Sequence, residues 1–307
     1  MNPENLLLTP GSLWPALKAR SRSALACGAL RPIETDTQFA EERGMRFVVR
    51  MISSLALKDQ ARRQQAQAPN RTGKPVNPFL PYEPELFVAD ITRTHLVLLN
   101  KFNVIDHHLL IITRDFEHQE TLLTLADFEA LWACMAEFDA LGFYNGGVVA
   151  GASQPHKHLQ MVPLPLDGAP GGLPLEPLLP AQTHAGEIAT VPALPFVNAF
   201  ARLDPALLAQ PREMAARCHD LYMGMLDTVG VGTTQTSGES RQSTPYNLLI
   251  ARQWMLLVPR STEFCEGISI NALGYAGSLF VRNSDQMQGV HRVGPMYLLT
   301  QVSVSRD

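Results

Sequence analysis

Apolar positions along the chain follow two different spacings, and together they predict a protein of the α+β class. Apolar side chains that recur at helical spacing predict helices over residues 12–27, 124–141 and 211–226. Shorter runs rich in β-branched and aromatic residues predict strands over residues 33–37, 46–52, 96–99, 108–113, 247–251, 254–259 and 275–282. The first two strands, and the third with the fourth, are expected to form antiparallel pairs.

The ends of the helices are marked by capping residues. Thr124 and Asp127 have the pattern of a capping box, and Gly142 supplies a stop for that helix. In the first helix, Ser12 is the predicted cap and Gly28 the predicted stop. The apolar stripe of the middle helix is therefore expected to belong to the core and to pack across the sheet.

Three segments lack such periodicity. Residues 58–74 combine basic side chains with glutamine and alanine, which is typical of a solvated mobile loop, and a basic flap that meets a polyphosphate is the alternative. Residues 164–195 are rich in proline and glycine and are expected to connect two halves of the protein. Residues 232–243 are predicted to be a polar, mobile loop.

This pattern predicts an N-terminal catalytic half at residues 1–165, a Pro/Gly-rich connection at residues 166–196 and a C-terminal half at residues 197–307. The strand pair around Leu248 resembles the earlier pair around Leu109, so a degenerate second copy of the half-domain is one interpretation. The later pair contains no His-x-His, and one active site per chain is therefore expected.

Composition excludes several classes of partner. The 307 residues are 46% hydrophobic and carry 25 Lys and Arg against 29 Asp and Glu, a net charge of -4 that offers no general attraction for nucleic acid or acidic membranes. The four cysteines never form a Cys-x-x-Cys pair, which argues against a disulfide framework or a cysteine-based zinc site. Because no signal peptide or membrane-spanning run is found, we expect a soluble, cytoplasmic protein.

The strongest chemical signal lies at residues 145–160. Glycines there permit turns that other residues avoid, and such turns aim N–H groups at anions. In a strand, alternation places His156, His158 and Gln160 on one face and Lys157 on the other. Imidazole with its ordinary pKa near 6.5 is largely neutral at cytoplasmic pH, so this arrangement suits phosphoryl or nucleotidyl transfer with a histidine nucleophile. A half-buried polar face and a two-histidine zinc site are the alternatives, although zinc needs further ligands that are not close in sequence.

Several motifs resemble one known family. Six residues resemble the signature of the histidine triad superfamily: Asn145, Gly151, Ser153, His156, His158 and Gln160. They resemble in particular its nucleotidyltransferase branches, where glutamine replaces the third histidine. The string Gly-Ala-Ser-Gln-Pro-His-Lys-His-Leu-Gln is similar to the diadenosine tetraphosphate phosphorylases, also called ATP adenylyltransferases. The strings Asn77-Pro78-Phe79, Leu99-Asn100-Lys101-Phe102 and Asn271-Ala272-Leu273-Gly274-Tyr275-Ala276-Gly277 extend the resemblance over most of residues 45–300.

The resemblance implies a histidine-triad-like antiparallel sheet flanked by helices, and a reaction in two steps. His158 would attack the α-phosphorus of diadenosine tetraphosphate to give ATP and adenylyl-histidine, and inorganic phosphate would then release ADP. His156 would position the motif strand, while Gln160 cannot act as an acid, which favours transfer to or from a polyphosphate.

The resemblance also implies a set of substrate-binding residues. Oxygens of the reacting phosphate would be held by Asn145, Gly151, Ala152, Ser153 and Gln154. Asn100 and Lys101 would lie near the ribose, where the family commonly has aspartate at the first position. Lys58 would contact phosphate, with Lys74 as a second choice, and Phe79 would stack on a base or seat its segment on the core. The residues that close over the substrate would be Asn271, Leu273 and Arg282, the last replacing the usual lysine.

Other predictions concern partners and alternatives. Magnesium or another divalent ion would enter with the polyphosphate, since no dedicated carboxylate cage is evident. His107 and His108 are predicted to be structural. Adenosine phosphosulfate is a further possible substrate, and hydrolysis competes with phosphorolysis. A hexose-1-phosphate uridylyltransferase and a noncatalytic nucleotide sensor are the alternative functions, and the oligomeric state is left open.

Overall fold

The computed structural model describes residues 6–52, 77, 79–166, 172–236 and 239–306. Lys58, Lys74 and the basic segment that contains them lie outside the described residues. The described helices are α1 Leu13–Ala26, α2 Leu125–Met135, α3 Pro211–Thr228, α4 Ala272–Tyr275, α5 Ser284–Val293 and α6 Pro295–Val302. None of the helices in the described part of the chain has the length and apolar character that crossing a membrane requires.

The strands form one large sheet and three smaller ones. The strands are β1 Thr35–Glu42, β2 Met45–Ile52, β3 Phe87–Asp90, β4 His95–Leu99, β5 Leu109–Thr113, β6 Ala140–Gly146, β7 His158–Pro163, β8 Ile188–Ala189, β9 Ala199–Arg202, β10 Thr233–Thr236, β11 Glu239–Gln242, β12 Tyr246–Ala251, β13 Trp254–Pro259, β14 Phe264–Cys265, β15 Ile268–Ser269 and β16 Ser278–Val281. The nine-stranded sheet has the order β3-β4-β5-β7-β6-β12-β13-β9-β8, and every neighbouring pair in it is antiparallel. The α+β prediction with an antiparallel sheet is confirmed.

A second sheet of three strands lies in the order β1-β2-β16. Its first two strands form the predicted antiparallel pair, but the third joins β2 in parallel from more than 200 residues later in the chain. Two further antiparallel hairpins are formed by β10 with β11 and by β14 with β15.

Both faces of the large sheet are buried. Leu159, Met161 and Tyr144 belong to an apolar cluster that includes side chains of α1, α2 and α3. Val162 and Phe143, at alternate positions of the same strands, belong to a second cluster with side chains of β2 and the C-terminal helices. Because strand side chains alternate between faces, the motif strand β7 presents one set of residues to the first helices and the other set to the opposite side.

The helix predicted at 124–141 is shorter than expected. Its capping box is present, with Thr124 and Asp127 bonded reciprocally, but α2 ends at Met135. Leu141 and Gly142 lie in β6, where pairing with strands on both sides replaces the last helical turn. A Cβ on Gly142 would meet a methyl of Leu131 at 3.0 Å, so this glycine lets the helix approach the sheet and is not a helix stop.

Other boundaries also differ from the prediction. The Ser12 hydroxyl donates to the Thr9 carbonyl and makes no side-chain cap on α1. The strand predicted at 33–37 runs instead over Thr35–Glu42, because it pairs along the whole length of β2. Tyr275 lies in α4, and the strand predicted at 275–282 is shorter, covering only Ser278–Val281. The predicted polar loop at 232–243 contains the β10–β11 hairpin, whose mostly exposed strands carry no apolar signal.

Candidate active site

His158 is the first residue of β7, in the middle of the large sheet, and only 4% of its surface is exposed. Its Nδ1 lies 2.7 Å from the carbonyl oxygen of His156. A carbonyl only accepts hydrogen bonds, so Nδ1 carries the proton and Nε2 keeps the lone pair. Burial lowers the pKa of His158 to about 4, and the imidazole is therefore neutral at neutral pH. The side chain thus has the neutral form and the free Nε2 lone pair that a nitrogen nucleophile requires.

The backbone of His158 is held by a side chain that sequence reasoning missed. Oε1 of Gln119 accepts from the His158 N–H at 2.8 Å, and Nε2 donates to the carbonyls of His158 at 3.2 Å and Asn145 at 2.9 Å. This buried amide connects β6 to β7. It lies beyond the pair formed by Phe143 and Gln160, where the backbone pairing of the two strands ends. Gln119 lies in a polar string between β5 and α2 whose pattern offers no signal for this role.

His156 uses both ring nitrogens in contacts with neighbouring segments. Nε2 lies 3.0 Å from the carbonyl and 2.9 Å from the hydroxyl of Thr113, and because the carbonyl can only accept, Nε2 carries the proton. Nδ1 then accepts from the Asn77 amide at 3.1 Å. Burial lowers the pKa of His156. No lone pair remains for a metal, and His156 instead ties the motif to β5 and to the segment before Phe79.

Phe79 covers the two histidines. Its ring stands edge-on to His156 and His158, with centroids 5.5 and 5.4 Å away. The ring is 6% exposed and belongs to an apolar cluster with Leu96, Leu98, Leu110 and Ile112. Of the two predicted roles, the described contacts favour seating this segment on the sheet.

Gln160 is oriented by two residues of the β4–β5 pair. Oδ1 of Asn100 accepts from the Phe102 N–H, which leaves its Nδ2 to donate to Nδ1 of His108 at 3.2 Å. His108 must then carry its proton on Nε2, which donates to Oε1 of Gln160 at 3.0 Å. Burial lowers the pKa of His108 to about 4, although the hydrogen bond to Gln160 acts in the opposite direction. His108 thus contacts a predicted catalytic side chain, and its predicted structural role includes orienting Gln160.

Asn145 lies at the end of β6, on the same face as Gln160. It is 1% exposed, and its Oδ1 accepts from Nδ2 of Asn247 at 2.8 Å and from the Ala272 N–H at 2.9 Å. Its Nδ2 makes no hydrogen bond to any residue that the structure describes. A donor on the sheet face that carries His158 is therefore available to a ligand.

The glycine turn is arranged differently from the prediction. The N–H groups of Ala150, Gly151 and Ala152 all donate to carbonyls within the turn, at 2.8–3.1 Å, so they do not face an anion. Ser153 and Gln154 follow the turn, and within the described ranges neither their side chains nor their N–H groups are hydrogen-bonded. The donors of Ser153 and Gln154 are therefore available to an anion, in addition to the Asn145 amide.

Gly151 brings the motif against the C-terminal half. It has a φ of +89°, and an added Cβ would lie 2.7 Å from Cβ of Asn271. Asn271 itself caps α4 by accepting from the Leu273 N–H at 3.0 Å, and Leu273 is buried in the apolar core. Arg282 is exposed just after β16, and no described hydrogen bond or ion pair of its side chain joins it to the motif. Lys101, at the end of β4, pairs with Glu83.

The opposite face of β7 carries a buried ion pair. Nζ of Lys157 lies 2.8 Å from Asp127, 3.0 Å from Glu117 and 3.0 Å from the carbonyl of Leu122. Asp127 also accepts from His95 at 3.0 Å. Burial would raise the pKa of Asp127, but the hydrogen bond from His95 and the charge of Lys157 hold it well below its usual range. Asp127 therefore joins α2 to the residue between the two motif histidines.

Family models match nearly the whole chain. A model described as the Ap4A phosphorylase N-terminal domain matches residues 3–181, and one described as the ATP adenylyltransferase C-terminal domain matches residues 192–305. Among curated proteins of Saccharomyces cerevisiae, the chain is 27% identical over 300 residues to Protein APA1, covering 90% of this chain and 88% of that protein. It is 28% identical over 271 residues to diadenosine 5',5'''-P1,P4-tetraphosphate phosphorylase 2, covering 80% and 78%.

Solved structures share the fold. The crystal structure of yeast Ap4A phosphorylase Apa2 superposes with a TM-score of 0.79 at 22% identity, covering 98% of this chain and 100% of that one. The same yeast protein in complex with Ap4A gives a TM-score of 0.76 at 21% identity, with 98% and 100% covered. At these identities the likeness establishes the architecture of the chain.

Proposed function

Because the chain belongs to the Ap4A phosphorylase family, we propose that it cleaves diadenosine tetraphosphate (Ap4A) with inorganic phosphate and releases ATP and ADP. The observation that carries the proposal is the state of His158. This side chain is buried and neutral, and its Nδ1 proton is donated to a carbonyl, so Nε2 is free to attack phosphorus. A residue that only bound nucleotides would not need this arrangement.

In the first step, Nε2 of His158 forms a bond to the α-phosphorus at one end of Ap4A. The bond from that phosphorus to the bridging oxygen breaks, and ATP leaves with the electron pair. The positive charge that develops on the imidazole is stabilised by the His156 carbonyl, which accepts from Nδ1 at 2.7 Å. Gln119 keeps the backbone of His158 in place during this change.

In the second step, an oxygen of inorganic phosphate attacks the same phosphorus. ADP is formed, and the lone pair returns to Nε2 of His158. Gln160 supplies a neutral amide whose Oε1 is already held by His108, so its N–H groups are the part offered to the substrate. It cannot protonate a leaving group, and a polyphosphate does not need protonation at neutral pH.

The remaining predicted side chains are proposed to hold the substrate. Asn145, Ser153 and Gln154 supply donors for the nonbridging oxygens, supported by the absence of other partners among the described residues. We assign the ribose to the strand end with Asn100 and Lys101. Closure over the substrate is assigned to Asn271, Leu273 and Arg282, with Lys58 contacting phosphate.

Magnesium or another divalent ion is proposed to arrive as part of the substrate, bound to its phosphates. Within the described residues, no group of three or more His, Cys, Asp or Glu side chains could hold a metal. Both nitrogens of His156 and Nδ1 of His158 are already engaged. We therefore expect magnesium to bind tightly only when the nucleotide is present, and we expect the reaction to take place in the cytoplasm.

The test is to incubate the protein with Ap4A, magnesium and phosphate labelled with radioactive phosphorus. Phosphorolysis predicts equal amounts of ATP and ADP, with the label at the β-phosphate of ADP, and His158→Ala should give neither product. Unlabelled products would indicate hydrolysis, and binding without any product would support a sensor. Parallel reactions with adenosine phosphosulfate and with a uridine diphosphate sugar test the other substrates.

A further inference from the structure

Arg260, the residue after β13, is a buried cation whose described hydrogen bonds all go to neutral groups. It is 1% exposed, and its guanidinium donates to the carbonyls of Val302 at 3.0 Å, Ile270 at 2.9 Å and Thr262 at 2.9 Å. A fourth bond, at 2.6 Å, goes to Oδ1 of Asn247. Burial lowers the pKa of the guanidinium, and the charge of Glu263 acts on Arg260 without a direct ion pair. Burying a cation without a hydrogen-bonded carboxylate is costly, so its presence here calls for a reason.

The guanidinium determines the orientation of Asn247. Since arginine has only donors, the atom of Asn247 that faces it must be Oδ1. The amide nitrogen of Asn247 is then directed at two acceptors, the Ala150 carbonyl at 2.8 Å and Oδ1 of Asn145 at 2.8 Å. Because a backbone carbonyl only accepts, the contact with Ala150 gives the same orientation independently.

Asn247 in turn determines the orientation of Asn145. Two donors, Nδ2 of Asn247 and the Ala272 N–H, converge on Oδ1 of Asn145. The Asn145 amide therefore cannot rotate by 180° without facing donors with donors. Its Nδ2 is left without a partner among the described residues, on the sheet face that carries His158. Gln119 bridges the backbone carbonyls of Asn145 and His158.

We propose that Arg260 and Asn247 are positioning residues, which fix the Asn145 amide so that its N–H donors face the phosphate that reacts with His158. The inference rests on the proposed function and extends it, because it assigns a role in the site to residues of the last third of the chain. The chain of hydrogen bonds starts at a full positive charge in a buried environment, which polarises both amides and strengthens the final donor. Such a donor is preorganised to stabilise charge that develops on phosphate oxygens.

The first test is Asn247→Asp, which is nearly the same size. Aspartate still accepts from Arg260, but it cannot donate to Oδ1 of Asn145, so Asn145 loses its fixed orientation. Removing one preorganised donor costs about 10²–10³ in kcat, and for misorientation we expect a loss of about tenfold or more, with a smaller change in KM for Ap4A. In an Asn145→Ala background, Asn247→Asp should have little further effect. Losses that multiply in the double variant would overturn the inference.

A second pair of variants tests the inference even if Asn247→Asp does not fold. Arg260→Lys keeps an obligate donor for Oδ1 of Asn247, whereas Arg260→Gln can present either its oxygen or its nitrogen. We expect Arg260→Lys to retain more of the wild-type kcat than Arg260→Gln. Equal kcat values in two folded variants, with only their melting temperatures lowered, would overturn the inference.

A measurement independent of turnover separates the two proposals. In protein labelled with ¹⁵N-asparagine, addition of AMP should shift the side-chain amide signals of Asn145, identified by their absence in Asn145→Ala, and the shift should be lost in Asn247→Asp. Wild-type protein that shows this shift but no phosphorolysis would refute the proposed function and keep the inference. If the protein is active but AMP leaves these signals unmoved, the inference is refuted and the proposed function is kept.

Discussion

Lys157→Met tests the buried ion pair between Lys157 and Asp127, which joins the motif strand to α2. Lys157 is completely buried. Its neighbours in sequence, His156 and His158, face the other side of the sheet. Methionine has a similar length and no charge. The change would leave the Asp127 carboxylate, itself 1% exposed, with His95 and the Thr124 cap but without its cation.

The expected loss follows from burial of both partners. Removing one member of a buried ion pair costs about 3–5 kcal/mol, because the other charge stays buried without compensation. Glu117, the other carboxylate on Lys157, is 46% exposed, so its contact contributes little. Replacing both buried charges is much less costly, and we expect Lys157→Met with Asp127→Asn to be more stable than Lys157→Met alone.

The assay is chemical denaturation at neutral pH and at lower pH. Since the pKa of Asp127 in the folded protein lies below the ordinary 3.8, its ionised form stabilises the fold above about pH 4 and loses this effect as the pH falls towards the folded-state pKa. The gap between wild type and Lys157→Met should therefore narrow in acid. Lys18→Met, at an exposed position of α1, is the control and should change stability by about 0.5 kcal/mol or less. A loss below about 1 kcal/mol for Lys157→Met, or additive effects in the double variant, would refute the reasoning.

Three further predictions address the site. Because neutral His158 is the attacking form and burial lowers its pKa to about 4, kcat/KM should fall in acid only near pH 4, and a fall centred at 6.5 would contradict this. Gly151→Ala places a Cβ 2.7 Å from Cβ of Asn271 at a φ of +89°, so thermal denaturation should show a loss of about 1–3 kcal/mol together with reduced activity; an unchanged melting curve would count against the packing described. Gln119→Leu leaves the His158 N–H unpaired, so it should lower the free energy of unfolding by about 1–3 kcal/mol and slow formation of the adenylyl-histidine adduct. An adduct rate equal to that of wild type would argue that Gln119 does not position His158.

Part of the site follows from local pattern. The two-residue period of a strand is enough to place His156, His158 and Gln160 on one face, and it also places Lys157 on the other. The same period does not reveal that Lys157 would be neutralised by Asp127, because that contact depends on how α2 crosses the sheet.

The residues that were missed act over long distances in sequence. Gln119 reaches His158 from 39 residues away, and Asn247 reaches Asn145 from 102 residues away. Neither has a neighbouring pattern that distinguishes it from an ordinary polar residue. The contact of His108 with Gln160 was not predictable for the same reason, since its partner is 52 residues away.

The fold was predictable where propensity and tertiary pairing agree. The helical spacing after Thr124 continues to Leu141, but strand pairing of β6 on both sides overrides it after Met135. The hairpin at Thr233–Thr236 has four exposed residues and so lacks the apolar alternation by which strands are recognised. The division of the chain into two halves and the assignment of Lys58 stay predictions.

If His158 carries the adenylyl group between the two steps, intact-mass spectrometry will detect the adenylylated protein. Purified protein would be mixed briefly with Ap4A and magnesium in the absence of phosphate. We expect a mass increase of one adenylyl group, which peptide mapping locates on His158. The adduct should be absent in His158→Ala and should be converted to ADP when phosphate is added. Turnover of Ap4A to ATP and ADP without any such adduct, or an adduct that persists in His158→Ala, would contradict this expectation.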